Sequence, residues 1–341
     1  MSRRGRIIGA ITAVIVIAAY AGYWSFIADR LAQGIDDWVV RQRQAGFTVD
    51  FERTKVAGFP LAFRASFRHP HIAGTFGGQR FDWRGPDVEA SLSPFDLHTV
   101  TLNTPGLQQL DLGQGPAKID AGRMKARLNL ASDGLLSGAS ARFRAMRLTF
   151  PDGRIISASS GSVALTLPPA PPQTDRDPLL QFSSVINDLQ LPRGTELLTQ
   201  DPLVEAAVAG RIKGPMPAAA ALHEALALWR DQGGTVELSS FTVEQATLTL
   251  SGTATIALDG DLQPIVAADL KARGLGPTID LLEKQKRILP EDALKMKLFV
   301  KGAERDAPGG GKEVATGLTV QGGYLSWGPF RLAPMARIAW P

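Results

Sequence analysis

Two histidines in the first half of the chain stand at a spacing that suits metal binding. His69 and His71 are two residues apart in a segment predicted to be a strand, so both side chains would project from one face. Two imidazoles in that arrangement can ligate a divalent metal ion. The sequence shows no recognisable third ligand beside them, so we predict a surface strand end here and assign no metal site.

A group of serines resembles part of a hydrolase motif. Ser159, Ser160 and Ser162 surround Gly161, but they do not form the G-x-S-x-G sequence of a nucleophile elbow. That motif also requires a strand–turn–helix setting, whereas this run is predicted to lie between strands. No nucleophile is therefore assigned.

A glycine-rich run at residues 309–312, Gly-Gly-Gly-Lys, resembles half of a phosphate-binding loop. Asp306 stands where that motif has its first glycine, and Glu313 replaces its serine or threonine, so a surface loop is predicted. Asp259 and Asp261 are predicted to be turn residues rather than metal ligands. The chain contains no cysteine, which excludes disulfides and thiolate chemistry. We assign no catalytic, cofactor-binding or metal-binding residue and expect a protein that is not an enzyme.

Length, composition and charge set the class of the protein. The 341 residues suffice for one or two domains, and 44% of them are hydrophobic, which is enough for a packed core. Lysine and arginine total 37 against 33 acidic residues, but Arg3, Arg4 and Arg6 precede the first apolar run. Removing these three leaves 34 basic residues against 33 acidic. Because no uncompensated basic block is visible, nucleic acid is not expected as a partner.

Residues 7–27 carry no charge and are predicted to cross a membrane. As a helix, these 21 residues span about 31 Å, which matches a hydrocarbon core of ~30 Å. Tyr20, Tyr23 and Trp24 cluster at the far end, where aromatic side chains favour the membrane interface. The arginines before the run place the N-terminus in the cytoplasm. We therefore expect an inner-membrane anchor with the C-terminal body in the periplasm.

A cleaved signal peptide is the alternative. Residues 19–21, Ala-Tyr-Ala, have the small-x-small form of a cleavage site, so cleavage after Ala21 would release a periplasmic protein. The apolar run continues through Trp24, Phe26 and Ile27, which favours an uncleaved anchor.

The pattern becomes amphipathic beyond the apolar run. It predicts one helix that continues to about Ala45 and ends at Gly46, with an apolar stripe that packs on the following domain. A helical dimer seam is the alternative, which Gly34 inside the stripe weakens. The stripe consists of Ile27, Leu31, Ile35, Trp38 and Val39 and lies beside a solvated pair, Asp36 and Asp37.

Most of the body alternates apolar and polar residues with a period of two, which indicates half-buried strands. Gly58-Phe59-Pro60 predicts a turn or bulge, and Ser-Asp-Gly at 132–134 predicts a hairpin. In the first half, strands are predicted around residues 47–51, 61–67, 88–92, 98–102, 126–130, 143–150 and 162–167.

The second half has the same style with added helices. Helices are predicted at 218–231, with Trp229 in the core, and near 278–287. A hairpin signal turns at Asp259-Gly260-Asp261. Strands are predicted on both sides of that turn and at 295–301, 314–321 and 324–332.

These elements predict a mainly β (α+β) protein. An N-terminal transmembrane helix precedes an extended antiparallel β-sheet body with two or three packed helices. Five prolines at 168–178 predict a linker or crossing loop that leaves either two domains or one continuous sheet. The parts are 1–45 (cytoplasmic tip, anchor and helical stalk), 46–167 (N-terminal β-rich part), 168–178 (linker) and 179–341 (C-terminal α+β part).

Several short motifs carry a family resemblance through their order. They are VAGFPLAFR at 56–64, FDWRGP at 81–86, LNTPG at 102–106, ALWRDQGGT at 227–235, LSGT at 250–253 with DG at 259–260, and GYLSWGPFRLAP at 323–334. They resemble the G-[FY]-P-x-x-F, tryptophan-proline, W-R-x-x-G-G-T and closing G-P segments of the bacterial DUF2125 family, a domain of unknown function. Trp327 and Phe330 depart from it, since smaller aliphatic residues are usual there.

The resemblance covers nearly the whole chain and implies a membrane-anchored, β-rich envelope protein with no assigned activity, so no catalytic residue carries over. By analogy with AsmA-type envelope proteins, whose curved sheet shields acyl chains, the leading hypothesis is cell-envelope assembly or lipid handling through an apolar sheet surface. Burial of an acyl chain there would contribute ~25 cal/mol per Å². The alternative is a periplasmic scaffold that binds an envelope protein through a sheet edge. An enzyme with a dispersed site is the third hypothesis.

Overall fold

A computed structural model of the chain describes residues 3–76, 78–192, 201–217, 221–307, 310–327 and 330–340. The helices are α1 (Arg3–Gln44), α2 (Leu222–Asp231), α3 (Leu275–Lys284) and α4 (Pro290–Ala303). The strands of the first half are β1 (Thr48–Arg53), β2 (Phe63–Phe76), β3 (Gln79–Arg84), β4 (Val88–Ser93), β5 (Asp96–Asn103), β6 (Gly106–Asp111), β7 (Pro116–Leu130), β8 (Leu136–Thr149) and β9 (Ile155–Thr166). Those of the second half are β10 (Pro178–Leu189), β11 (Leu203–Lys213), β12 (Thr235–Gln245), β13 (Leu248–Leu258), β14 (Pro264–Arg273), β15 (Glu304–Asp306), β16 (Lys312–Gln321), β17 (Tyr324–Trp327) and β18 (Phe330–Pro334).

All of these strands join one antiparallel sheet. The order runs from β1 to β2, across the short strands β3 to β6, and then through β7 to β14 in sequence. β16 follows β14, and β17 and β18 complete the far edge, with β15 paired to the other end of β16. Strands that follow each other in sequence are mostly neighbours in space, which explains why local hairpin signals located them.

The proline-rich segment connects two strands that pair with each other. β9 and β10 lie side by side from Thr166 opposite Gln181 to Ser160 opposite Asn187. The sheet is therefore continuous across residues 168–178. The division of the body into parts at this loop stays a prediction.

The sheet is a single layer over most of its width. A compact protein of 36.5 kDa would expose about 13,500 Å², whereas this chain exposes 21297 Å². Part of the excess is the uncovered apolar helix, and the rest is sheet that has no second layer. The one cluster of fully buried core residues is small and consists of Ile279, Ala293, Val300 and Val314, where α3 and α4 pack on β16, within the described part of the chain.

The strands bend where non-glycine residues take the left-handed conformation. Ala145 in β8 has φ 53°, and Asp188 in β10 has φ 51°. At such residues the two-residue alternation of side chains is interrupted and the strand turns.

The predicted helical stalk is confirmed as part of one continuous helix that ends at Gln44. It lies along β1, where the Arg53 guanidinium donates to the carbonyl oxygen of Ala32 (2.9 Å) and to Asp36 (3.0 Å). Trp38, at one end of the predicted stripe, stays 40% exposed. The helix thus lies beside an edge strand that has no other partner on that side, which protects the edge from pairing with another chain.

Residues 295–301 were predicted to form a strand, and this prediction is wrong. They belong to α4, which begins with Pro290 and carries Glu291 and Asp292 in its first turn. The alternation of Lys295, Met296 and Lys297 resembles a strand, but Ala293 and Val300, seven residues apart, are the buried positions. Helix-start signals and packing against α3 therefore outweigh the short alternating pattern.

Other boundaries differ less. The helix predicted at 278–287 spans Leu275–Lys284. The helix predicted from 218 begins at Leu222, and residues 218–220 lie outside the described residues. The single strand predicted at 324–332 is two strands, β17 and β18, which pair with each other.

Candidate functional site: the apolar face of the sheet

The strand registers assemble one uninterrupted row of apolar residues across nine strands. Each member lies directly opposite the next, so all of them project from the same face. The row is Met124, Phe143, Gly161, Ile186, Ala206, Val243, Leu250, Ala272 and Val314. At ~4.8 Å between strands it is about 38 Å long.

Two further rows, which follow one after the other on one side of this row, are nearly as apolar. One contains Ala141, Val163, Ser184, Val208 and Phe241 in succession. The other contains Ala139, Leu165, Phe182, Gly210 and Leu238. We call the surface formed by these three rows the apolar face, and the opposite surface of the same strands the polar face.

The middle of the apolar face is only half-buried. Ile186, Val208, Phe241 and Leu250 are all partly accessible, and Val163 and Leu165 are exposed. A second layer of protein would exclude water from such side chains, as it does from Val314 at the end of the row. The middle of the face therefore has an apolar surface without a protein partner in the described chain.

Three phenylalanines on this face lie over glycines of the neighbouring strand. Phe143 is opposite Gly161, Phe182 opposite Gly210, and Phe241 opposite Gly252. A Cβ atom at Gly210 would lie 3.0 Å from Cζ of Phe182, and one at Gly252 would lie 3.1 Å from Cζ of Phe241. Only glycine leaves room for the ring to lie across the strand. Because each ring lies across a glycine, no side chain of that residue projects beside it, and this part of the apolar face is smooth.

One end of the face is covered by helices. Val314 packs with Ile279 and Val300 of α3 and α4. α2 packs at a different place, where β11 ends and β12 begins. There Trp229 is 4% exposed, as predicted for a core residue, and its indole N–H donates to the carbonyl oxygen of Lys213, the last residue of β11, at 2.8 Å. These contacts are ordinary core packing.

The other end meets α1 through an aromatic cluster. The indole of Trp24 stacks on Phe63, with ring centroids 5.1 Å apart, and meets Phe59 edge-on at 5.7 Å. The Trp24 N–H donates to the carbonyl oxygen of Ala62 at 3.3 Å. Phe63 is 1% exposed in consequence. The G-F-P-x-x-F element therefore docks the body on the apolar helix.

Two loops beside this cluster expose large apolar side chains. Leu61 is 74% exposed and Phe95 is 80% exposed. Their loops are attached to α1 because the hydroxyl of Tyr20 donates to the carbonyl oxygen of Pro60, and that of Tyr23 to Pro94. The loop tips thus lie level with the end of the apolar run of the helix.

On the second half of the polar face, two groups of charged side chains form ion pairs across neighbouring strands. Glu237 accepts from Lys213 (2.9 Å) and Arg211 (2.7 Å) on the neighbouring strand. A hydrogen bond from Lys213, and to a smaller extent one from Arg211, lowers the pKa of the Glu237 carboxyl. Arg273 and Glu313 form a similar cross-strand pair at 3.0 Å.

The two histidines considered as metal ligands lie at a bulge in β2. His69 has φ 47°, and one residue of β1 faces two of β2 between Asp50 and Glu52. The bulge breaks the alternation on which a common face depended. His71 lies 3.2 Å from the carboxylate of Asp82. Among the described residues, no group of three or more His, Cys, Asp or Glu could hold a metal ion.

The other motif residues make structural contacts. Ser159 donates to Asp188 at 2.6 Å, across to β10. The carboxylate of Asp259 accepts from the backbone N–H of Asp261 (2.9 Å) and of Gln263 (2.8 Å), which confirms its turn role. Of the glycine-rich run, Gly309 lies outside the described residues, and Lys312 pairs with Asp306 at 2.7 Å.

The N-terminal helix has the length and composition of a membrane span. The apolar part of residues 12–44 meets these criteria and is mostly uncovered by the rest of the chain. Its length and composition are compatible with a membrane anchor and with a signal sequence.

Comparisons with known proteins give one match. No curated protein and no solved structure matches the chain. A family model described as an uncharacterized protein conserved in bacteria matches residues 24–336, from Trp24 of the docking cluster almost to the C-terminus. This confirms the resemblance carried by the motifs, and the chain belongs to the DUF2125 family.

Proposed function

We propose that this protein is a membrane-anchored, non-enzymatic lipid-handling protein of the cell envelope, which holds acyl chains on the apolar face. The observation that carries the proposal is the open middle of the main row, from Gly161 to Leu250, which has no covering layer in the described chain. Half of a bilayer's ~30 Å hydrocarbon core is about 15 Å. The open stretch crosses five strands and is about 19 Å long, so it is long enough for an acyl chain of that length.

The energetics of the face also favour an apolar ligand. Each Å² of apolar surface removed from water contributes ~25 cal/mol, so an acyl chain needs no polar site to bind. The smooth floor formed by the phenylalanine–glycine pairs suits a flexible chain better than a partner with side chains of its own.

The experiment is photo-crosslinking in phosphatidylcholine nanodiscs. The full-length chain is reconstituted with a phosphatidylcholine that carries a diazirine in one acyl chain, and the cross-linked residues are identified by mass spectrometry. We expect cross-links at alternate residues of β10 to β13, on the apolar face, in addition to α1. Cross-links confined to α1 would contradict lipid handling and leave the anchor standing.

Two adjacent serines of β10 provide matched variants. Ser184 lies between Val163 and Val208 on the apolar face, whereas Ser183 projects from the polar face. Ser184→Glu places a charge among apolar side chains and is expected to reduce cross-linking of the body at least five-fold. Ser183→Glu should leave it unchanged. Equal effects of the two variants would contradict the assignment of the face.

The competing scaffold hypothesis has its own outcome. Native mass spectrometry of the full chain extracted from cell membranes would show a bound protein in fixed stoichiometry, in place of lipid adducts.

The placement of the body in the periplasm is tested separately. A reporter that is active only in the periplasm, fused after Pro341, is expected to be active. Activity of a cytoplasmic reporter at the same position would contradict the topology.

A further inference from the structure

Five basic side chains gather on the polar face of β7 and β8. Arg123 lies directly opposite Arg144, and Lys125 directly opposite Arg142. Arg127 continues the series along β7. All five are exposed. Residues directly opposite each other on the two strands are ~5 Å apart, and residues two apart along one strand are about 7 Å apart. The four cations of the two opposite pairs therefore lie close together, with Arg127 beside them. We call these five residues the basic patch.

No acidic group compensates this basic patch. None of the five forms an ion pair with a residue that the structure describes. The side chains directly beside it across the sheet are neutral, namely Asn103, Ser160 and Ser162.

Carboxylates lie farther away along the same rows. Glu89 is two strands from Lys125, about 10 Å, and Glu205 is three strands from Arg144, about 14 Å.

Like charges directly opposite each other destabilise a sheet, and elsewhere on this surface the pairing is complementary. On the same two strands, Arg147 lies opposite Asp120. On β11 and β12, Glu237 is held between two cations. The basic patch is therefore a local departure that an anionic ligand would balance.

The patch borders a hollow that can receive such a ligand. A concavity of about 700 Å³ is lined by Arg123, Lys125, Arg142 and Arg144 together with Ser160, Ser162 and Asn187. The residues between them on the same strands, Met124, Phe143 and Gly161, also line it, as does Val185. One guanidinium group can donate two parallel hydrogen bonds to two oxygens of a phosphate, and hydroxyl and amide groups can donate further hydrogen bonds.

We propose that this hollow binds a ligand with two neighbouring phosphate groups. Each of the two cross-strand cation pairs binds one phosphate, and the serines and Asn187 donate further hydrogen bonds to the phosphate oxygens. The four cations and the two serines alternate along their strands with Met124, Phe143 and Gly161 of the apolar row, so their side chains project from the opposite face. This site is therefore separate from the acyl-binding surface proposed above, and either proposal can fail without the other.

The test is calorimetric titration of the full-length chain in a neutral detergent with inorganic pyrophosphate, at constant ionic strength. The double variant Arg142→Gln/Arg144→Gln is expected to weaken pyrophosphate binding at least ten-fold. Arg147→Gln, on the same strand but opposite Asp120, should change it less than two-fold. Absence of pyrophosphate binding to the unmodified chain, or equal losses in both variants, would overturn the proposal.

A thermal readout guards against a variant that merely misfolds. Without an anion, the double variant should unfold at a higher temperature than the unmodified chain, because charge repulsion is removed. Pyrophosphate should raise the unfolding temperature of the unmodified chain and not that of the double variant. A double variant that is destabilised and still responds to pyrophosphate would contradict the site.

The source of the phosphate is distinguished in nanodiscs. If cardiolipin, whose headgroup carries two phosphates, weakens pyrophosphate binding when added to phosphatidylcholine nanodiscs, and phosphatidylglycerol at the same total charge does not, the ligand is a lipid headgroup. If pyrophosphate binds equally well with and without cardiolipin, the ligand is a soluble phosphorylated compound.

Discussion

The covered end and the open middle of the apolar face have the same kind of side chains and different surroundings. At the covered end, Val314 is 2% exposed because α3 and α4 supply a second layer. In the middle, Ile186 and Leu250 belong to the same row and are only half-buried. Protein stability explains the first group. The half-buried side chains in the middle are apolar although no described element covers them. This favours a bound ligand as the reason for their apolar character.

The largest effect is expected where a helix buries a large side chain, at Trp229 of α2. Trp229→Ala should lower the free energy of unfolding by about 3–5 kcal/mol, because it empties a filled site against Gly234 and removes the hydrogen bond to Lys213. The measurement is chemical denaturation of the full chain in detergent. Leu228→Ala, at an exposed neighbouring position, is the control and should cost less than ~1 kcal/mol. A loss below ~1 kcal/mol for Trp229→Ala would mean that α2 is not a covering element.

We expect the exposed loop tips beside α1 to contact the bilayer. Burial of Leu61 and Phe95 in the membrane interface would contribute about 1.5–3 kcal/mol each. The chain has no cysteine, so a single cysteine at either position can carry an environment-sensitive fluorophore. In nanodiscs, nitroxide-labelled lipids are expected to quench both labels.

Two control positions separate this contact from the anchor itself. Leu112→Cys lies in the turn before β7, at the opposite end of a strand of about 50 Å, and should not be quenched. Val14→Cys in α1 should be quenched wherever the helix spans the membrane. Quenching at Val14 alone would show an anchored body held clear of the bilayer.

A smaller effect on stability is expected in the open middle. Phe182→Ala should cost about 1–2 kcal/mol, because the ring is already partly exposed and makes its main contact with Gly210. Cross-linking of acyl chains to the body should nevertheless fall several-fold. A cost as large as that of Trp229→Ala would show that the open face is part of the core after all.

The smallest effect concerns the polar face and depends on pH. The pKa of Glu237 is lowered by Lys213 and Arg211, so its contribution to stability is present above the unfolded pKa and is lost as the pH falls through the lower folded value. Glu237→Gln should therefore cost up to ~1 kcal/mol at pH 7 and nothing at a pH below the folded pKa. Denaturation at both pH values measures the difference. Glu224→Gln on the exposed surface of α2 should cost little at either pH.

Sequence patterns within short segments of the chain predicted most of the helices and hairpins. The charge-free run predicted the apolar helix, and the Asp259-Gly260-Asp261 turn predicted the β13–β14 hairpin, because both depend on residues close together in sequence. The strand predicted at 295–301 failed because seven residues of alternation cannot outweigh packing against α3. The apolar face was expected as a surface, but its residues could not be named without the registers.

The sequence by itself determined an N-terminal apolar helix, a series of antiparallel hairpins and membership of a family. Tertiary structure decided which residues share a row. The basic patch shows the reason: Arg123 and Lys125 alternate on one strand, Arg142 and Arg144 on another, and each run is unremarkable alone. Only the β7–β8 register places the two runs directly opposite each other. A shift of one residue would move either run to the other face, so the local charge pattern could not reveal the patch.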